Sequence, residues 1–157
     1  MIDPDFGKLE FNEIWTGHCE IVLYGEPLSV TLVIQTFDDD PITETQRLAF
    51  REFNSYKAPI GRAVEAAVFD HYCAHLETYR NGFDANEVDT KAPFISGPCD
   101  LRNLVSLNEI KVMSAFDSAK RQIGFIFDAT FDPELGLGVL VVDGRVTEVD
   151  VQDFLLG

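Results

Sequence analysis

Val142-Asp143-Gly144-Arg145 is the segment that most restricts what this chain can fold into. Asp-Gly readily adopts the two positive φ angles of a tight hairpin turn, so the apolar run Leu137 to Val142 is expected to fold back as Val146 to Val149. Leu137 to Val142 is apolar at every position but Gly138, the pattern of a central strand covered on both faces. Once one antiparallel pair is set, the neighbouring segments fall into the same class. Arg121 to Asp128 alternates through Ile123, Phe125 and Phe127, and Val105 to Met113 offers Leu107 and Ile110 as core residues.

The first third also reads as strand. Leu9 and Phe11 alternate with polar residues ahead of Trp15, and His18 to Tyr24 is rich in strand formers. Gly25-Glu26-Pro27 is expected to break that strand, and Leu28 to Phe37 to return as the second arm of a hairpin. Asp38-Asp39-Asp40-Pro41 then ends the sheet. Thr43-Glu44-Thr45-Gln46 fits a capping box, with Leu48, Ala49, Phe50, Phe53 and Tyr56 following at helix spacing until Pro59 interrupts. A second helix is expected from Ile60 to Arg80, its stripe formed by Ile60, Val64, Ala67, Val68, Tyr72, Leu76 and Tyr79 and its end by Asn81-Gly82. Residues 83–100 mix glycine, proline and acids and read as an ordered loop.

Strands, then two helices, then strands again predict an α+β fold: a largely antiparallel sheet with two helices packed on one face. The 157 residues suit a single domain over 1–157, and no repeat, low-complexity tract or linker divides them. Apolar residues make up 46% and charged residues 25%, enough core-forming material to set disorder aside.

The charge excludes more than it identifies. With 27 acids against 12 Lys and Arg, the formal net charge is −15, spread along the whole chain rather than held in a tail. Nucleic acid and anionic membrane surfaces both need clustered cations, so neither is an expected partner. The acidic start Met1-Ile2-Asp3-Pro4-Asp5 lacks a signal-peptide layout, and no stretch approaches the roughly 18 apolar residues of a membrane span. Cys19, Cys73 and Cys99 form no framework and read as reduced, buried thiols, which points to the cytoplasm.

Residues with recognisable chemistry are few. His71 and His75 stand four apart on the second helix, a spacing that can hold metal, but Tyr72-Cys73-Ala74 between them lacks the general-base Glu of the zinc-protease helix. Two partly exposed histidines explain the pair; His18, on a strand, could approach them, but nothing in the sequence requires it. Asp38, Asp39 and Asp40 lack the alternation, glycine and distant Glu of a calcium loop, and read as a solvated turn beside a helix N-terminus. Asp128, Asp132 and Glu134 around Pro133 read the same way. Gly136-Leu137-Gly138 has neither the third glycine nor the helix of a dinucleotide loop, and no nucleophile elbow is present. No catalytic residue, metal ligand or cofactor is assigned, and the chain is read as a non-enzyme.

Phe131-Asp132-Pro133-Glu134-Leu135-Gly136-Leu137-Gly138-Val139, the strand after it, Asp143-Gly144 and Glu148-Val149 together resemble the closing segment of a bacterial domain-of-unknown-function family. Trp15-Thr16-Gly17 and Thr43 to Phe50 are similar to its pattern upstream, so the resemblance runs from about Phe6 to Val151. It implies an α+β fold without established enzymatic residues, and some such domains, encoded beside polymorphic toxins, are taken to be immunity proteins. The expected function is therefore an immunity-type binding protein that neutralises a cognate, cationic toxin domain by direct contact, its charge assisting association. Contact residues are expected in the two least regular segments: Asp38, Asp39 and Asp40 in one, Asp84, Glu87 and Asp89 in the other. Trp15, the single tryptophan, is either an aromatic anchor or a core residue. The alternatives are a small metal-dependent enzyme around His71 and His75, or a structural, oligomerising domain.

Overall fold

The computed structural model describes residues 1–37, 40–114 and 120–156. In chain order the elements are β1 (Ile2–Asp3), β2 (Gly7–Lys8), β3 (Glu10–Asn12), β4 (Ile14–Leu23), β5 (Glu26–Ile34), α1 (Glu44–Ser55), α2 (Lys57–Asn81), α3 (Val88–Lys91), a 3-10 turn (Pro98–Asn103), β6 (Val105–Val112), β7 (Gln122–Ala129), β8 (Leu137–Val142), β9 (Arg145–Asp150) and α4 (Asp153–Leu156). β1 and β2 form a small ribbon, and β3 to β9 form one sheet in sequential order. Every pair in that sheet is antiparallel except β5 and β6, which run parallel from Thr31–Glu109 to Ile34–Val112. The exception follows from the insertion of α1 and α2 there, since a parallel pair needs a crossover and cannot be closed by a hairpin. The fold is α+β.

One face of the sheet carries the main core. Cys19, Ile21, Val30, Leu32, Ile34, Ile110, Phe125, Phe127, Val139 and Val141 are buried there with Ala49, Phe50 and Phe53 of α1 and Ile60, Val64, Val68 and Tyr72 of α2. α1 is placed by its cap. Thr43 accepts from the Gln46 amide at 3.1 Å and Gln46 Oε1 accepts from the Thr43 amide at 3.0 Å. Gln46 is itself buried and donates to the Gln35 carbonyl at 2.6 Å, so the capping residue also moors the helix where β5 ends.

Several expectations change. The first hairpin turns at Tyr24-Gly25, both with positive φ, rather than at Gly25-Glu26-Pro27. Pro27 lies inside β5 opposite Val22, a non-hydrogen-bonded position beyond the reach of β6, where a missing N–H costs nothing. α2 begins at Lys57, because Pro59 falls in its first turn, where no intrahelical donor is needed. Its closing Gly82 keeps a right-handed φ of −82°. The buried face of α1 is Gln46, Ala49, Phe50 and Phe53, which leaves Leu48 and Tyr56 exposed. Residues 83–100 contain α3 and the start of the 3-10 turn. Cys73 and Cys99 are exposed, and only Cys19 is buried.

β8 is also not central: β9 alone lies beyond it. It is covered on both faces because α4 sits on the side away from α1 and α2. Leu155 is buried over Gly124 and Gly138, where an added Cβ would meet it at 3.1 and 2.8 Å. Lys111, buried on that same side, donates to the Leu155 carbonyl at 2.7 Å. Among the described residues no helix is long and apolar enough to cross a membrane.

Candidate functional site

The N-terminal face is assembled by a tight reversal. Glu13, at φ 65°, turns the chain between β3 and β4 and brings Phe11 opposite Trp15, their ring centroids 4.9 Å apart. Trp15 rests partly on the core while Phe11 stays 52% exposed. Met1, 63% exposed, lines a cavity with this pair, while Ile14, next to Trp15 in the strand, points to the opposite face. Glu13 in the turn and Asp40 are exposed, and Glu10 lies on the other face with Thr16 and His18. A cavity of about 340 Å³ opens between Phe11, Trp15 and Met1 on one side and Asp40, Pro41, Ile42 and Arg47 on the other.

An ion network holds this face to α1. Arg47 grips Asp3 with two nitrogens at 2.8 and 2.9 Å and reaches Asp5 at 2.9 Å. Arg51 binds the other side of Asp5 at 2.7 and 3.0 Å. Asp3 is buried, and its bonds from Arg47 and from the amides of Asp5 and Phe6 outweigh desolvation, holding its carboxyl down to about 2. Arg51 and Arg47 lower the Asp5 carboxyl in the same way. The scaffold under the exposed aromatics is therefore fixed by charge-assisted bonds.

The acids expected from the sequence separate into two places. Asp38 and Asp39 lie outside the described residues, and Asp40 lines the cavity with Trp15. Asp84, Glu87 and Asp89 are exposed on the segment that folds back after α2. There the Asp84 carbonyl accepts from Glu87 and Val88, and Asp89 pairs with Arg80 at 2.9 Å. Arg80 also donates to the Ala92 carbonyl at 2.8 Å and stacks 4.2 Å from the exposed Phe94 ring. Asp40 lines a cavity that Asp84, Glu87 and Asp89 do not share. Sequence reasoning missed Phe11, Arg47 and Arg80, whose partners lie on other elements.

His71 and His75 stack with ring centroids 4.2 Å apart. His75 Nδ1 donates to the His71 carbonyl at 2.8 Å, and His71 Nε2 lies 3.0 Å from the Tyr79 hydroxyl. Burial, then the neighbouring His75, lowers the His71 pKa; burial with Asp132 and Asp150 pushes Tyr79 up to about 12. His18 stands on β4 beside a different cavity. Among the described residues no three His, Cys, Asp or Glu side chains gather as metal ligands. The pair is built as a helix-surface stack.

The run Phe131 to Val139 has a packing role. Phe131 is buried against Tyr72 and Tyr79, at 4.6 and 4.7 Å between centroids. Gly136 has φ +58°, and a Cβ there would collide with the Phe127 carbonyl and the Gln152 amide. Gly138 makes room for Phe154 and Leu155. The glycines thus form the seat of α4. Comparison with curated proteins and with solved structures finds no match. Residues 5–156 match the pattern of a domain of unknown function, DUF6985. With nearly its whole length inside that match, from the Arg-bound Asp5 through the glycine seat to α4, the chain belongs to the DUF6985 family.

Proposed function

We propose that this protein is a binding module that docks on a cationic protein surface through its N-terminal face. The observation that carries the reading is the Phe11–Trp15 pair, Phe11 half exposed and Trp15 partly buried, with Met1 and Asp40 lining the same cavity, Glu13 in the turn, and the Arg47 network holding it. Contiguous exposed apolar side chains rimmed by polar ones mark interaction sites, and interface hot spots favour Trp and Tyr within such a rim. The net charge of −15 supports a basic partner, and the family resemblance supports an immunity role. In that role the protein acts in the cytoplasm, covers the basic cleft of a cognate toxin domain and performs no catalysis. Asp38, Asp39 and Asp40 serve as one contact group, and Asp84, Glu87 and Asp89 as a second, steering group.

The test is calorimetric titration against purified basic toxin domains, any encoded beside this gene included, paired with rescue of cells expressing them. The expected result is rescue together with a complex that Trp15→Ala weakens about tenfold or more, as removal of an aromatic anchor does. Absence of both rescue and complex at low salt would refute the reading. Self-association of the free protein through Phe11 would replace it with the oligomerising one.

A further inference from the structure

We propose that the cavity between the β3–β4 turn and the segment entering α1 is a socket for one arginine side chain presented by the partner. This rests on the binding role proposed above and specifies its chemistry. Two π faces are available, Phe11 and Trp15, at 4.9 Å and tilted by 49°. A guanidinium stacks well on such faces, Trp being the strongest, and is more weakly hydrated than an ammonium. The Asp40 carboxylate lines the same cavity and can accept two parallel N–H bonds from the guanidinium edge. Pro41 and Ile42 add apolar surface to the same cavity.

The cations bordering the socket are already satisfied. Arg47 spends its terminal nitrogens on Asp3 and Asp5, and Arg51 is shared between Asp5 and Glu44, so three carboxylates surround two guanidiniums. The Met1 amino group donates to the Leu9 carbonyl at 3.1 Å. An incoming cation therefore meets the aromatic faces and Asp40 with both guanidiniums behind them paired to carboxylates, while the Met1 ammonium, bonded to a neutral carbonyl, keeps its charge. An anionic ligand would find no free donor on Arg47 comparable to the ones Asp3 and Asp5 occupy.

Trp15 is the only tryptophan, so its indole N–H signal reports on the socket directly. The experiment titrates the ¹⁵N-labelled full chain with the peptide acetyl-Gly-Arg-Gly-amide, and with the citrulline and lysine versions of that peptide. The expected result is a saturable Trp15 shift with arginine, a weaker one with lysine and none with citrulline. Phe11→Ala should weaken the arginine peptide about two- to fivefold, the worth of an exposed cation–π contact. Asp40→Asn should weaken it as well, while Glu77→Gln on the outer face of α2, which removes the same charge, should leave it unchanged. Thermal melts establish that each variant is folded. No saturable shift, an equal response to citrulline, or equal losses in Asp40→Asn and Glu77→Gln would overturn the socket. A cationic protein that binds while Trp15 stays silent refutes the socket alone. A responsive Trp15 with no protein partner upholds the socket and refutes the wider reading.

Discussion

Asp3 shows how one residue secures a surface that the sequence leaves unremarked. It looks like an ordinary N-terminal acid, yet it is buried, gripped by Arg47, and accepts the amides of Asp5 and Phe6 at 2.8 and 3.1 Å. Its carboxyl is held down to about 2 from an ordinary 3.8. The unfolded chain therefore takes up the proton first as pH falls. The stabilisation is complete above about pH 4, declines below it and vanishes near pH 2. Asp3→Asn should cost about 1–2 kcal/mol in urea unfolding at pH 7, and the gap to the unaltered protein should close as pH approaches 2. A gap that persists unchanged at low pH would show that the charge is not what Arg47 holds. None of this is legible from Asp3 itself, because its partner is 44 residues away. Gly136 is a second case: the sequence reads Gly136-Leu137-Gly138 as close backbone packing in a strand, and the positive φ of Gly136 and the seat it makes for Gln152 come only from the fold.

At the scale of elements, α1 was the most legible. Its capping box and its period of apolar residues are local; the structure reproduces the box and the helix and buries Ala49, Phe50 and Phe53 of the expected stripe. The hairpin at Asp143-Gly144 is equally local, with φ of 50° and 83°, and the Asp143 carboxylate also accepts the Arg121 amide at 2.9 Å. α4 was not legible, since four residues carry too little periodicity to announce a helix. Its anchor, Leu155, fills the slot above Gly124 and Gly138 and explains why β8 is buried twice without being central. Leu155→Ala should cost about 2–4 kcal/mol in denaturant unfolding, as other buried leucine truncations do. Hydrogen exchange should localise the loosening to residues 151–156 and to β7 and β8 beneath them. Protection unchanged in those strands would mean that α4 is not part of the cooperative unit. The exposed Leu48 and Tyr56 mark the other limit: helix periodicity gives the angle of a stripe but not which edge of it the sheet covers.

Across the whole molecule the charge of −15 acts on encounter rather than on fold. If the N-terminal face meets a basic partner, the association rate should fall steeply between about 0.02 and 0.3 M salt, while dissociation changes little. Stopped-flow measurement checks this, and a flat association rate would remove steering from the account. Asp40→Asn and Trp15→Ala should both act mainly on dissociation, because a carboxylate bonded to the seated guanidinium and a packed anchor resist departure.

By itself the sequence determined the α+β class, the capped first helix, the long second helix, the Asp143-Gly144 hairpin and the sign of the molecular charge. Each depends on neighbours a few residues apart, through turn geometry, helix period or simple composition. Tertiary structure alone decided the parallel step between β5 and β6, the seating of α4 and the burial of Lys111 beneath it. It also decided the pairing of Asp3 with Arg47 and the meeting of Phe11, Trp15 and Asp40 at one cavity. Those arrangements join residues remote in the chain, and what selects among the possible partners is burial and charge compensation in the folded whole.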